Sequence, residues 1–486
     1  MNKINGDLEK IVIAIPEVAK GQSFVGASLP PLGATRIAKM ASARFPDLEV
    51  EVLDGVQVGQ DQLRSRVREL SGKSLLGISA HTSLNWTNCL EIIEDSPTDK
   101  IVVGGIHAEG DRCGKYIAQN RGLDVIQGQG ELALIQYVEY ISGKRKKEEV
   151  NNLIYLDKSG ELKENKIFRQ SQEFFPFVDY ESFLDVSDYS RVFRDQFLTG
   201  DIGFTMVSPE GCKWQDMNKK RGGYCLFCDI GTEYSLHNPR FFGRWIEDHV
   251  KRYRHHGKVF MVNYADETTG AGLGWWSEVL SNMPKNIKPH EDYGIKIYTK
   301  SGKGFFNSDN LADVFWRLGV EDIHIGFEAV TDEDLRSLHK GSTVRHHERV
   351  VEIAKNYGFR IIGSFVLGAP SATKKSLDGC ISFVDRMKES LGDKVAVVTG
   401  SPLLPLPGSP SWKMLKQEAY HRGKYLDLFE TDNPDLYQAR KLWYGWFCDK
   451  LCLECGGVDS ALDYVKEISD KLNCMGSLPT PENQFG

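Results

Sequence analysis

Cys212, Cys225 and Cys228 occupy one loop, GCKWQDMNKKRGGYCLFCDIG (211–231). The last two form a Cys-x-x-Cys turn, and twelve residues separate the first from it. Thiolates grouped this way suit zinc or an iron–sulfur cluster, and a purely structural site of either kind takes four protein ligands. Three leave one coordination position open. Two plainer readings stand beside an open cluster: a zinc knuckle completed by His237, or three unconnected thiols. A second group, Cys448, Cys452 and Cys455 in WFCDKLCLECGG, is spaced Cys-x3-Cys-x2-Cys. Such spacings place the side chains on one face of a helix, where cysteine packs as a small hydrophobe. The other reading is an auxiliary iron–sulfur cluster with Cys474 as its fourth ligand.

The remaining reactive residues lie where short apolar runs end. Asp266 and Glu267 follow KVFMVNY, Tyr298 and Lys300 close YGIKIYTK, Glu328 closes EDIHIGFE, and Gly368 follows FRIIGSFVL. The acids are either ligand contacts, solvent-facing groups or helix caps. Tyr298 and Lys300 are expected to face a substrate from the third strand of this series.

Elements that could present these ends are legible in two series. Over the first 140 residues or so, KIVIAI (10–15), LEVEVLDG (48–55), SLLGISAH (74–81), KIVVGGIHA (100–108) and LDVIQGQGE (123–131) alternate with helical patterns. Each run turns out of its strand at Gly, Ser or His, which is the grammar of a doubly wound α/β domain with its crevice at the carboxyl edge. A second series runs from IGFTMVSPEG (202–211) to VAVVTGSPLLPLPGSP (395–410). Its βα units suit a partial or full parallel barrel whose functional residues sit at the strands' carboxyl ends. The expected organisation is α/β throughout: a Rossmann-like domain over 1–145, a connector over 146–200, a (β/α) TIM-like barrel over 201–410 and a helical region over 411–486.

With 486 residues, 41% hydrophobic and 26% charged, the chain is long enough for two or three cores and ordinary for a globular protein. A net charge of −7 without a dense basic run argues against nucleic acid as a partner. No apolar stretch approaches bilayer-spanning length, so no membrane partner is expected. Ten cysteines without a secretory signal point to the reducing cytoplasm.

The first strand of the second series, the three-cysteine loop after it, and Phe227 just before the last cysteine resemble the radical S-adenosylmethionine superfamily. LPPLGATRIAKM (29–40), GISAHTS (77–83), VVGGIHAE (102–109) and VIQGQGE (125–131), with YADETTG, IHIGFEAVTDEDL, SFVLGAPSATKKSL and PLLPLPGSP, resemble the branch carrying a cobalamin-binding domain. The likeness covers roughly residues 10–410. It implies a [4Fe–4S] cluster on Cys212, Cys225 and Cys228, with S-adenosylmethionine on the open iron. It implies S-adenosylmethionine contacts from Phe227, Asp266, Glu267, Glu328 and Gly368. It also implies cobalamin against Ser79, Thr82, Gly104, Gly105, His107, Gly128, Gly130 and Glu131.

The activity so implied is methyl transfer to an unactivated carbon of a small molecule or peptide, by a 5′-deoxyadenosyl radical and methylcobalamin. A reducing partner such as flavodoxin or ferredoxin would supply electrons. Family relatives that cyclise, rearrange or oxidise offer a second outcome, and a non-catalytic corrinoid or iron–sulfur carrier a third. Two departures stand out. The family's usual loop has three residues between its first two cysteines rather than twelve, a difference that costs only about 1 kcal/mol of chain entropy. The first domain also lacks the Asp-x-His-x-x-Gly motif that brings a histidine to cobalt.

Overall fold

The computed structural model describes residues 8–18, 29–171, 174–187, 189, 201–205, 211–219, 224–228, 234–262, 269–302 and 306–477. The chain divides into two compact units, Met1–Tyr189 with Gly423–Pro434, and Ser190–Arg422 with Asp435–Gly486. Up to Tyr189 the expected connector belongs to the first unit, and so do twelve residues of the expected helical tail.

The first unit is built on a seven-stranded sheet. Its strands are β1 (Lys10–Ile15), β2 (Glu49–Asp54), β3 (Ser74–Ser79), β4 (Ile101–Gly104), β5 (Asp124–Ile126), β6 (Leu153–Leu156) and β7 (Leu162–Glu164). They lie in the order β2-β1-β3-β4-β5-β6-β7. The first five pair in parallel, and β6 and β7 add antiparallel. Alternation along β1 shows why both faces are covered. Ile11, Ile13 and Ile15 enter one apolar cluster with the helices Leu32–Arg44 and Gly130–Ile141. Val12 and Ala14 enter another with Gln60–Arg68, Trp86–Asp95 and Gly114–Arg121. The strand order reverses between β1 and β3, so the carboxyl edge there opens as a crevice.

The second unit holds six parallel strands in sequential order: β8 (Ile202–Thr205), β9 (Val259–Val262), β10 (Tyr293–Lys300), β11 (Val320–Glu328), β12 (Arg360–Leu367) and β13 (Val395–Pro402). Helices connect consecutive strands, and β8 and β13 remain the two edges, so the sheet is a half-barrel rather than a closed one. The β13 edge is capped by the chain's own last helix, Val458–Asn473. Asn473 Oδ1 accepts from Gly400 N at 2.8 Å, and Ser469 Oγ donates to the Gly400 carbonyl. A Cβ at Gly400 would lie 2.6 Å from Leu472, so glycine lets the helix seat on the strand. Exposed edge groups of this kind would otherwise template pairing with another chain.

Candidate functional site

The cysteine loop is anchored on both sides of its turn at the carboxyl ends of the half-barrel strands. Leu226 N donates to the Leu338 carbonyl at 3.0 Å, and Ser411 N donates to the Leu226 carbonyl at 2.9 Å. Cys228 N donates to the Cys225 carbonyl, closing the Cys-x-x-Cys turn. Cys225 is buried, while Cys212 and Cys228 are partly exposed. Much of the long gap between the first two cysteines is wound into the helix Lys213–Lys219. Trp214 pins that helix to the rim: its Nε1 donates to the His339 carbonyl at 3.1 Å, and a Cβ at Gly341 would lie 2.4 Å from its ring. The described part of the unusually long gap is therefore largely a docked helix.

No three cysteines among the described residues bring their sulfurs within 4.8 Å of one another. A tetrahedral zinc site with ~2.3 Å bonds needs sulfurs about 4 Å apart. Zinc closure of the triad is thus not formed, whereas the wider cluster has no such requirement.

Below the cysteines lies a buried ion pair that the sequence did not announce. Lys340 Nζ stands 2.7 Å from Glu328 Oε1, with side chains 4% and 2% exposed. Glu328 ends β11 at a register irregularity and takes φ 66°, an uncommon conformation for a residue with a side chain. A Cβ at Gly326 would stand 2.3 Å from Glu328 Oε1 and 2.7 Å from Lys340 Nζ, so glycine there makes room for the pair. Burial disfavours the Lys340 ammonium, but Glu328, Tyr298 and Cys225 outweigh it and hold the lysine above its ordinary range. Lys340 Nζ also lies 5.8 Å from the Phe227 ring centroid, which places Phe227 at the same rim.

Phe327 packs against His347 and Phe383 of the covering helices Val344–Tyr357 and Lys374–Leu391. By alternation, Asp322, His324 and Gly326 face the concave side. At the floor, Arg360 donates twice to Asp322, at 2.7 Å each. Lys296 beside them is pushed by burial down to about 8. Midway, Tyr298 and His324 meet edge to face at 4.9 Å. Burial, with the charges around it, raises Tyr298 above its ordinary range, so its phenol stays protonated. Lys300, expected to face substrate, is engaged within the protein. Its side chain is 3% exposed, with the ammonium 3.9 Å from the Trp214 ring and donating to the Lys340 carbonyl.

Gly368 follows β12 with φ 114°, a region glycine occupies readily. A Cβ would lie 2.4 Å from the Tyr444 hydroxyl, so close packing by the helix Leu436–Phe447 already requires glycine here. The Gly368 carbonyl accepts from Trp443 Nε1 at 2.9 Å and from the Cys448 thiol at 3.4 Å. Of the residues expected to hold an auxiliary cluster, Cys448, Cys452, Cys455 and Cys474, the first two thus meet backbone carbonyls in this structure. Burial pushes Cys448 well above the ordinary thiol range, and Cys452 donates its proton to the Tyr444 carbonyl. Cys455 is likewise raised, chiefly by burial, and Cys474 is exposed. Cys448, Cys452 and Cys455 lie at the cap and along the helix Asp449–Cys455, and Cys474 caps Val458–Asn473. Asp266 and Glu267 lie outside the described residues.

In the first unit, three loops meet at the carboxyl edge. His107 N donates to the Ala80 carbonyl, and a Cβ at Gly105, φ 99°, would stand 2.6 Å from that oxygen. Gly128 N donates to Glu109 Oε1 at 3.0 Å. Asn85 Nδ2 donates to the Pro16 and Ser79 carbonyls, tying β1 to β3 at the switch point. Thr82 caps the turn Ser83–Asn85 through Leu84 N, and Ser79 and Gly104 end their strands partly exposed.

Three of the expected cobalamin contacts also have structural occupations. His107 is buried, with one ring nitrogen 2.9 Å from Ser83 Oγ and the other 2.9 Å from the Asp432 carbonyl, so it has no nitrogen left for cobalt. Glu131 is buried against Arg36 at 3.3 Å. Gly130 gives way to Ile37, which would meet its Cβ at 2.9 Å. What remains fits a large flat ligand held by backbone and strand ends, with no ligation from His107.

No family model matches the chain. It is 21% identical over 428 residues, 83% of this chain and 82% of the other, to an uncharacterized methyltransferase of Pyrococcus horikoshii. The fold is similar to the cobalamin-dependent S-adenosylmethionine radical enzyme OxsB with aqua-cobalamin bound, at TM-score 0.62 and 14% identity, over 86% of this chain. The chain spans 62% of OxsB. It is also similar to the radical S-adenosylmethionine methyltransferase TsrM from Kitasatospora setae with cobalamin and a [4Fe–4S] cluster bound. There the TM-score is 0.62 at 16% identity, over 85% of this chain and 75% of TsrM. The fold is the one these cobalamin-dependent radical enzymes share.

Proposed function

We propose that this chain is a cobalamin-dependent radical S-adenosylmethionine methyltransferase acting on an unactivated carbon of a small molecule or peptide. The observation that carries this reading is the cysteine turn fixed at the half-barrel rim through Leu226, beside the Glu328–Lys340 pair. The methyltransferase relative and the two cobalamin-bound neighbours support it. When bound, a [4Fe–4S] cluster with S-adenosylmethionine supplies one-electron cleavage chemistry, and cobalamin supplies a transferable methyl group.

The chain's own residues would do the rest. Cys212, Cys225 and Cys228 would hold three irons, leaving the fourth open. Glu328, locked in place by Lys340, presents a carboxylate at a strand end, where a cationic amine or a hydroxyl would find a charge-assisted partner. Asp266 and Glu267, which follow β9 in the sequence, would serve the same ligand, and Phe227 would cover it. Tyr298 would line the substrate's side of the well. The exposed loop ends around Ser79, Thr82, Gly104, Gly105 and Gly128 would receive the corrin. A reductant such as flavodoxin or ferredoxin would deliver electrons in a reducing compartment such as the cytoplasm. Among the described residues, no helix is long and apolar enough to cross a membrane.

Anaerobic reconstitution with iron, sulfide and cobalamin tests the reading, with iron content, corrinoid absorbance and 5′-deoxyadenosine release measured together. Full-length protein is expected to release deoxyadenosine, and Cys225→Ala to release none. Activity retained in that variant would remove the cluster assignment. A product heavier by one methylene unit supports methylation, whereas unchanged or hydrogen-depleted mass indicates rearrangement or oxidation.

A further inference from the structure

His324 is the polar group of the well whose hydrogen-bonding capacity is left open. It lies on the concave face of β11, directly opposite Tyr298 of β10 in the strand register. The residue keeps partial access, while both ring nitrogens, Nδ1 and Nε2, are buried without a hydrogen-bond partner among the described residues. Two buried, unpartnered ring nitrogens are costly in a folded protein, and native structures normally satisfy such groups. The neighbouring polar groups do not take them up: Arg360 is committed to Asp322 below, and Lys340 to Glu328 above.

Charge decides what could satisfy the ring. Burial, with Lys296 and Lys340 nearby, drives His324 well below its ordinary range, so the imidazole is neutral and carries one donor and one acceptor. Of the charged residues of this well, Lys296, Lys300, Asp322, Glu328 and Lys340 are at most 3% exposed, and Arg360 at the floor, 22% exposed in its side chain, is held by Asp322. Above that floor, the groups on the described wall that keep access, Tyr298, His324 and Ser364, are uncharged. Tyr298 and His324 together offer a ring wall with a hydroxyl and an imidazole edge.

We propose that His324 is a substrate-binding residue, and that it receives an uncharged amide or N-heterocyclic group on a planar substrate rather than a carboxylate, phosphate or ammonium. This rests on the reading of the half-barrel as the reaction chamber, and it narrows the substrate class. An amide or ring N–H meets the imidazole acceptor, and a carbonyl or ring nitrogen meets its donor. A site built this way discriminates strongly, because an analogue lacking those groups leaves the histidine unpaired again.

The test uses the reconstituted full-length protein and three probes of equal size: benzamide, benzoate and benzylamine. Saturation-transfer NMR is expected to detect benzamide in preference to the two ions. H324L is expected to weaken benzamide binding by about fivefold, the worth of roughly one net hydrogen bond, and H324Q to retain it within about twofold. Equal binding by H324L, or benzoate or benzylamine preferred over benzamide, overturns the proposal. Should H324L fail to accumulate, long-range proton–nitrogen spectra of histidine-labelled protein decide. The resonance missing in H324Q must move when benzamide is added, and a stationary resonance overturns the proposal. Wild-type protein that binds no iron yet shows His324-dependent benzamide binding sinks the radical reading alone. A working radical enzyme indifferent to His324 sinks this inference alone.

Discussion

Glu328 and Lys340 form a 2.7 Å ion pair almost wholly withdrawn from solvent, beside Tyr298 and the Cys225 turn. Taking two charges out of water is costly, and their attraction offsets that cost only while both partners are present. E328Q or K340M alone should each lower unfolding stability by about 3–5 kcal/mol, because each leaves one buried charge uncompensated. The double variant E328Q/K340M should regain a large part of the loss. Chemical denaturation of the three proteins checks this; additive losses would show that the two residues do not act as a pair.

Gly368 predicts a steric pair. Alanine there must adopt φ 114° and meet the Tyr444 hydroxyl at 2.4 Å. G368A should cost roughly 2–4 kcal/mol, the sum of backbone strain and overpacking. Adding Y444F removes the clashing oxygen, together with its hydrogen bond to the Leu367 carbonyl, and should restore about 1 kcal/mol. Thermal melts of the single and double variants test the coupling.

The two cysteine groups should part company on iron. Reconstituted C225A should lose the cluster, whereas C452A should bind as much iron as the parent, since its thiol is donating to the Tyr444 carbonyl. Iron and sulfide quantification decides. A drop of one cluster's worth in C452A would reinstate the second site.

Acid should weaken the first unit through His107. Burial, only partly offset by its hydrogen bond to the Asp432 carbonyl, pushes the ring down to about 4 from an ordinary 6.5. Between those values the folded chain binds fewer protons than the unfolded one. The stabilisation is therefore complete above pH 6.5 and lost progressively as pH falls toward 4, by about 3 kcal/mol in full. H107Q should flatten that part of the profile. Urea midpoints at pH 7 and pH 5 for both proteins read it directly; equal slopes would exclude His107 as the group responsible.

Much of the architecture was legible because burial imprints a period on sequence. KIVIAI had to be a strand covered on both faces, and its alternate residues do enter two different apolar clusters. The cysteine turn was equally plain, because Cys-x-x-Cys is a local geometry. What could not be read was who meets whom over long separations. Asp432 lies more than three hundred residues from His107 and Trp86, yet its carbonyl meets His107 and its carboxylate accepts from Trp86 Nε1 and Arg121. The same limit hid Trp214, whose role as the pin of the long loop depends on His339 and Gly341 arriving from another element.

The amino-acid order by itself determined the alternation of strands and helices and put a cysteine triad just after a strand, because periodicity and spacing are properties of neighbours. Only tertiary packing decided that Cys448 meets the Gly368 carbonyl, that Lys300 lies against Trp214, and that Lys340 completes Glu328. Charge, burial and hydrogen bonding belong to pairs brought together by the fold. A residue's chemistry is settled only when its partner is known.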